Sequence, residues 1–333
     1  MERGAAIIPV TIKILPGTGM LNKGQKIKFK IEKADNGHSL NHFLERHAAW
    51  FKGHAVQSWL EQGLFFVGDK TVAGDRFLSS GEVLELERPP WEEPEVDDQI
   101  PILFQSPSLM VVDKPAGMPT TPTGTFYKNS LIHILRDRFH QPHLVPLHRL
   151  DLETSGVLAL SSDPTARDHF QRQFRLNTAV KGYVAMVYGH LDPQCSLIDF
   201  PLGKHDRIYT RFVNQPHGKP AKTEVTGVTH WRDFSEVALK PITGRTNQIR
   251  AHLAGVGHAI VGDKKYLGDG SIFLDWLERR SMDRLRDQLF LDHQALHCQF
   301  LGLEVDGQTQ FFRSQRDAPA YWRNQISQQL DAL

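Results

Sequence analysis

His148-Arg149-Leu150-Asp151-Leu152-Glu153-Thr154-Ser155-Gly156 sets charge, hydroxyls and a glycine directly before the apolar run Val157-Leu158-Ala159-Leu160. The run reads as a strand buried on at least one face. A loop carrying Arg, Asp, Thr and Ser is therefore anchored against a core strand, where a fold can hold a carboxylate still for chemistry. The same residues also serve as plain turn formers, because Thr and Ser hydroxyls bond nearby backbone.

Composition limits what surrounds this loop. The chain has 333 residues, 40% of them apolar and 23% charged, which describes a globular protein and as a soft prior two domains. Its two cysteines, Cys195 and Cys298, lie far apart, which argues against a disulfide framework and for a reducing cytoplasm. The sequence has neither the paired cysteine spacing of a zinc site nor a carboxylate-rich calcium loop, and its seventeen histidines are scattered. No apolar run reaches the length of a membrane span and the N-terminus has no signal-peptide profile, so no membrane partner is expected. The formal net charge of +1 says little, but residues 149–265 hold sixteen Lys or Arg against eleven Asp or Glu. That local surplus fits a phosphate-rich partner.

Four units are expected along the chain. Residues 1–37 read as a strand-like extension, with apolar runs at Ile7 to Leu15 and Ile27 to Ile31. Residues 38–90 read as a compact αα-β unit: Leu40, Phe43 and Leu44, then Val56, Trp59 and Leu60, sit at helical spacing, and strands follow Gly63. Residues 91–100 read as an acidic, proline-containing linker, solvated and crossed by few contacts. Residues 101–333 form the largest unit. In it Asp163-Pro164 starts a helix, and Lys181 to Gly189, Glu224 to Trp231 and Ser235 to Thr243 read as strands. Thr246 to Val256 reads as a helix with Ile249, Leu253 and Val256 inward, and residues 271–290 read as a charged amphipathic surface helix.

His-Arg-Leu-Asp-x-x-Thr-Ser-Gly resembles the signature of the RluA-type pseudouridine synthases. Further matches follow in that family's order: Lys181-Gly182-Tyr183-Val184-Ala185, Gly244-Arg245-Thr246-Asn247-Gln248-Ile249-Arg250-Ala251-His252-Leu253, and Gly257-His258-Ala259-Ile260-Val261-Gly262-Asp263. Asp113-Lys114-Pro115-Ala116-Gly117 resembles the family's early Asn-Lys-Pro-Ala-Gly, so the resemblance covers roughly residues 100 to 318. It implies an α+β fold, a largely antiparallel mixed sheet with flanking helices. The order of elements in 38–90 is similar to a small RNA-binding domain shared with a ribosomal small-subunit protein. That segment holds five Lys or Arg against seven Asp or Glu, a balance that does not favour phosphate.

The resemblance also implies the chemistry. Pseudouridine formation breaks the bond between uracil and the anomeric carbon and rejoins the sugar to carbon 5 of the base. One carboxylate can serve this with neither metal nor cofactor. By motif position that carboxylate is Asp151, Arg250 is the arginine that pairs with it, and Tyr183 is the tyrosine that packs on the target base or takes the carbon 5 proton. Arg149 is the residue implied to enter the RNA where the base is extruded, and Arg245, His148 and Thr154 are the other RNA-binding candidates. Asn247 stands where the family usually has histidine. An unperturbed aspartate ionises near pH 4, so Asp151 needs position and pairing more than activation. The expected partner is structured RNA, ribosomal or transfer, and the expected state a cytoplasmic monomer. Two other readings remain open from sequence: an RNA-binding or RNA-remodelling protein without turnover, and a hydrolase using Asp151 and Glu153 as an acid–base pair.

Overall fold

In a computed structural model of the chain, the described residues are 20–331 apart from 23, 48–52, 73, 207, 209 and 280–284. The strand-like reading of Ile7 to Leu15 lies outside them. The chain divides into two compact units, one made of residues 1–96 and 121–134, the other of 97–120 and 135–333.

The first unit holds β1 (Met20–Asn22), β2 (Gln25–Lys30), α1 (Leu40–His47), α2 (Gly53–Glu61), β3 (Phe65–Val67), β4 (Lys70–Thr71), β5 (Val83–Arg88) and β6 (Trp91–Glu93). Its sheet runs β2-β5-β3-β4, so residue 37 does not bound it: β2, which the sequence placed in an extension, supplies an outer strand. The cause is strict alternation. Ile27 and Phe29 point into the core, while Lys26 and Lys28 point out, opposite Glu87 and Glu85 at 2.6 and 2.7 Å. With residues 25–37 included, the segment 25–90 carries nine Lys or Arg and nine Asp or Glu.

The segment 91–100 is likewise only partly a solvated linker. Its residues Trp91–Glu93 form β6, antiparallel to β1. Glu93 is fully buried and accepts hydrogen bonds from the Asn22 amide and from the backbone N–H groups of Tyr127, Lys128 and Asn129. Trp91 donates to Thr125 O at 2.6 Å, and the Arg88 guanidinium lies 3.5 Å from the Trp91 ring centroid. Residues 121–134 thus fold with the first unit although the resemblance assigned them to the catalytic one.

The second unit contains β7 (Ile102–Gln105), β8 (Met110–Lys114), most of α3 (Leu131–Phe139), β9 (Val145–Pro146), β10 (Ser155–Ser161), α4 (Pro164–Arg175) and β11 (Val180–Tyr188). There follow β12 (Leu197–Asp199), β13 (Leu202–Lys204), β14 (Phe212–Asn214), β15 (Lys222–Trp231), β16 (Phe234–Pro241) and α5 (Gln248–Gly255). The last elements are α6 (Ser271–Arg279), α7 (Arg286–Leu289), β17 (Leu296–Val305), β18 (Gln308–Arg313) and α8 (Ala318–Asp331). Its main sheet runs β12-β15-β16-β11-β17-β10-β8-β7, with β18 paired to β17 and β9 to β10. Every pairing in it is antiparallel except β10 with β17. The sheet is therefore mixed and largely antiparallel, as the resemblance implies.

Three central strands position the site. β10 is buried along almost its whole length, as its apolar run requires. Its parallel register sets Gly156 opposite Cys298 at φ +111°, where an added Cβ would sit 2.2 Å from the Cys298 carbonyl oxygen. Only glycine fits that approach. Gly182 in β11 meets the Phe300 ring as closely, and an irregularity between Gly182 and Tyr183 lies opposite β17. Asp163 caps α4 by accepting from the N–H groups of Thr165 and Ala166, with Pro164 in the first turn. Among the described residues, no helix is long and apolar enough to cross a membrane.

Candidate active site

The loop before β10 is held by its neighbours at almost every residue. His148 Nε2 accepts from the Ala159 N–H, and its ring stacks on Phe174. Burial and then Lys181 pull the His148 imidazole down to about 3, so it is neutral, as an acceptor must be. Leu150 exchanges two hydrogen bonds with the Thr120 hydroxyl. Leu152 O accepts from the Lys114 ammonium, which also donates to the carbonyls of Pro115 and Met118. Glu153 pairs with Lys264 at 2.8 Å and accepts from the Gln294 N–H. The Thr154 hydroxyl accepts from the Gln294 amide at 2.5 Å, and the Thr154 N–H bonds Asp151 O. Asp151 is thus fixed through both of its chain neighbours.

The carboxylate has one strong partner. Arg250 Nη1 lies 2.7 Å from Asp151 Oδ2. The rest of the guanidinium is gripped by Asp263: Nε donates to Oδ2 at 2.7 Å and Nη2 to Oδ1 at 2.9 Å. That fork is bidentate and buried, the strongest geometry available to the pair. Asp263 Oδ1 also accepts from the N–H groups of Lys265 and Tyr266. Burial alone would lower the Arg250 pKa, but Asp263 and then Asp151 outweigh it and hold it well above the ordinary arginine value. Burial would likewise raise Asp263, yet Arg250 and then Lys265 keep it below the ordinary carboxylate range. Asp263 is fully buried, whereas the Asp151 side chain is 27% exposed. One carboxylate orients the arginine; the other is presented to solvent.

Asp151 opens into a cleft of about 340 Å³, whose lining includes Arg149, Lys181, Tyr183, Arg245, Asn247 and Arg250. Among the described residues that line it, Asp151 is the sole carboxylate. Burial, the Cys298 thiol and Asp151 all push the Tyr183 phenol well above its ordinary value, so it keeps its proton. Burial pushes the Cys298 thiol itself up to about 12. Arg149 is exposed and lines the cleft. Arg245 is also exposed, with Nε donating to Pro220 O.

The candidates separate on this geometry. Asp151, Arg250, Tyr183, Arg149 and Arg245 converge on one cleft. His148 and Thr154 line the same cleft, but Thr154 is 2% exposed with its hydroxyl bonded to Gln294, and His148 Nε2 accepts from Ala159 with its ring stacked on Phe174, so both fasten the loop. Glu153 faces Lys264 and is absent from the cleft lining, which removes the second carboxylate that a hydrolytic pair needs. Sequence reasoning gave no role to Asp263 or Lys114, although both stand inside quoted motifs. A carboxylate directly after a glycine and a lysine at the end of an apolar run, just before Pro115, were the available signals.

Comparison with known proteins points to the family that the motifs resemble. Residues 108–255 match the family model described as RNA pseudouridylate synthase. An uncharacterised RNA pseudouridine synthase of Synechocystis is 34% identical over 234 residues, covering 69% of this chain and 79% of that protein. The dual-specificity RNA pseudouridine synthase RluA of Escherichia coli is 38% identical over 173 residues, 50% of this chain and 76% of that protein. Among solved structures, human RNA pseudouridylate synthase domain containing 1 aligns with a TM-score of 0.54 at 25% identity, covering 67% of this chain and 86% of that one.

Proposed function

Since the chain belongs to the RluA-type RNA pseudouridine synthases, we propose that Asp151 is the group through which this isomerase rearranges uridine, and that its substrate is folded RNA of the ribosomal or transfer class. The bond from the anomeric carbon to ring nitrogen 1 breaks, a bond to carbon 5 forms, carbon 5 gives up its proton and nitrogen 1 gains one. The observation that carries the reading is the exposed Asp151 carboxylate, alone of its kind in a cationic cleft and 2.7 Å from an arginine fixed by Asp263. Such an arginine holds the carboxylate in place while the base turns. The cleft's cations suit a polyanion, and a uridine must leave its stack to reach a carboxylate that lines a cleft. Arg149, exposed in the same cleft, can fill the space the base vacates.

Tyr183 supports a narrower role than the sequence allowed. A phenol that holds its proton is a poor base for carbon 5, which favours packing on the uracil as its part in the cleft. The dual specificity named for the Escherichia coli relative makes both RNA classes reasonable targets here, and the place of action is the cytoplasm. Asp151→Asn tests the assignment, because the amide is nearly isosteric but neither attacks nor takes a proton as a carboxylate does. We expect pseudouridine yield, measured by nucleoside chromatography of modified RNA, to fall at least a thousandfold with RNA affinity retained. Activity within tenfold of the unsubstituted enzyme would remove Asp151 from the central role.

A further inference from the structure

Asn247 stands where the resemblance leads one to expect histidine, and its environment gives it a job. It precedes α5 at the position where an asparagine side chain normally caps the first backbone N–H groups. Here it does not. Its backbone is left-handed, φ 54°, and its side chain makes no capping bond. The amide is used elsewhere: Nδ2 donates to Thr210 O at 3.0 Å, and Oδ1 accepts from Arg250 Nη1 at 3.3 Å. That is the same nitrogen that holds Asp151. Thr210 belongs to the segment joining β13 and β14.

The joining segment and the first residue of β14 are tied to the same group of residues at three other points. Lys265 Nζ also donates to Thr210 O, at 3.3 Å. The Phe212 N–H donates to the Tyr266 hydroxyl at 2.8 Å, and Arg211 Nη2 to Gly268 O at 2.8 Å. The Tyr266 ring lies 5.1 Å from the Arg250 guanidinium and 5.5 Å from that of Arg211. Tyr266 is 2% exposed, so a shift of Phe212 or Arg211 has no slack to disappear into before it reaches Arg250. Lys265 belongs to the turn whose backbone N–H groups bond Asp263.

We propose that Asn247 is a positioning residue for the isomerisation: it couples the β13–β14 hairpin, through the Thr210 carbonyl, to the Arg250 nitrogen that orients Asp151. The proposal rests on the assignment of Asp151 and Arg250 above. Where the hairpin is seated, Nη1 is shared between Asp151 and Asn247 in a single geometry. Where the Thr210 bond is lost, Asn247 can turn away and Nη1 loses its second acceptor. Asparagine suits the place because it tolerates the left-handed backbone and carries a donor and an acceptor on one rigid plane.

The test replaces Asn247 by glycine, which keeps the left-handed backbone without strain and removes both bonds. We expect kcat on a minimal RNA hairpin at saturation to fall tenfold or more with KM within threefold, and amide hydrogen exchange at Phe212 to accelerate. Lys265→Met removes the second donor to Thr210 O together with a positive charge near Asp263 and Asp151, so only its exchange readout bears on the coupling, and exchange at Phe212 is expected to accelerate, less than in the glycine variant. It decides the matter if the glycine variant does not fold. A kcat within twofold of the unsubstituted enzyme overturns the proposal, and so does a fall in kcat with exchange at Phe212 unchanged. If the unsubstituted protein forms no pseudouridine, the parent assignment fails instead, and the exchange result then stands by itself.

Discussion

Asp151 and Arg250 were legible from sequence because both sit in motifs whose spacing is local. What makes them a pair was not. Asp263 holds the arginine fork, and it lies thirteen residues further on in a turn that no periodicity marks as buried. Arg250→Lys is therefore expected to be far from conservative. An ammonium cannot bridge Asp263 and Asp151 with a planar fork, and a buried carboxylate left half-paired costs about 3 kcal/mol. Thermal unfolding together with single-turnover rates would check this, and an active, equally stable lysine variant would contradict it. Lys114 gives a pH prediction. It is fully buried with carbonyl partners only, and burial, partly offset by Asp151, lowers its pKa to about 7 from the ordinary lysine value. The unfolded chain then binds the extra proton between about pH 7 and the ordinary lysine range near 10.4, so this group's contribution to stability rises as pH rises through that window. Denaturant unfolding of the protein and of Lys114→Met at pH 7, 8 and 9 should show the difference moving in favour of the unsubstituted chain with increasing pH. A constant difference would mean that the lysine is charged in both states throughout.

At the scale of elements, apolar pattern read best where one residue type fills a strand. Val157 to Leu160 falls within β10, and Lys181 to Gly189 covers most of β11. The pattern misled where polar groups are buried. Thr246 to Val256 was expected to turn Val256 inward, but α5 ends at Gly255, and Val256 is 39% exposed. The helix is buried from Gln248 to Leu253 because Gln248, Arg250 and His252 all find partners inside: Gln248 bonds Lys222 O and Thr223, and His252 bonds Thr223 and Phe200 O. Hydropathy has no sign for a satisfied buried arginine. Residues 271–290 were expected as one helix; α6 ends at Arg279 and α7 runs only from Arg286 to Leu289. The junction of the Asp151 loop with β10 gives the prediction at this scale. Gly156→Ala adds a methyl 2.2 Å from the Cys298 carbonyl oxygen at a φ that alanine resists. We expect a loss of about 3 kcal/mol or more in stability, by strain and lost strand pairing together. A change in unfolding midpoint of a degree or two would show that β10 and β17 separate more easily than their register implies.

For the whole molecule, the order of domains was legible and their limits were not, because the first unit is built from two stretches of chain. Read from sequence, the acidic, proline-bearing segment after residue 88 is solvated and a fragment beginning near residue 100 is a natural catalytic piece. Residues 121–134 change that expectation. They fold with residues 1–96, and three of their backbone N–H groups, those of Tyr127, Lys128 and Asn129, are bonded to the Glu93 carboxylate. Such a fragment keeps these donors and discards their acceptor, along with Trp91, which donates to Thr125 O. These donors are part-buried, and each hydrogen bond lost costs about 0.5–1.5 kcal/mol. Residues 121–134 also lead into α3, so their disorder would reach the second unit along the chain itself. We therefore expect the fragment 100–333 to unfold at a lower denaturant concentration than the second unit of the full chain and to expose 121–134 to protease. Glu93→Gln in the full chain isolates the cause. The amide has one acceptor oxygen in place of two and no charge, so it should loosen 121–134 and cost about 1–3 kcal/mol with the cleft around Asp151 untouched. Limited proteolysis with mass spectrometry reads both variants. Cleavage within 121–134 that is equally slow in the full chain, the fragment and Glu93→Gln would show that this stretch is held by something other than the Glu93 carboxylate.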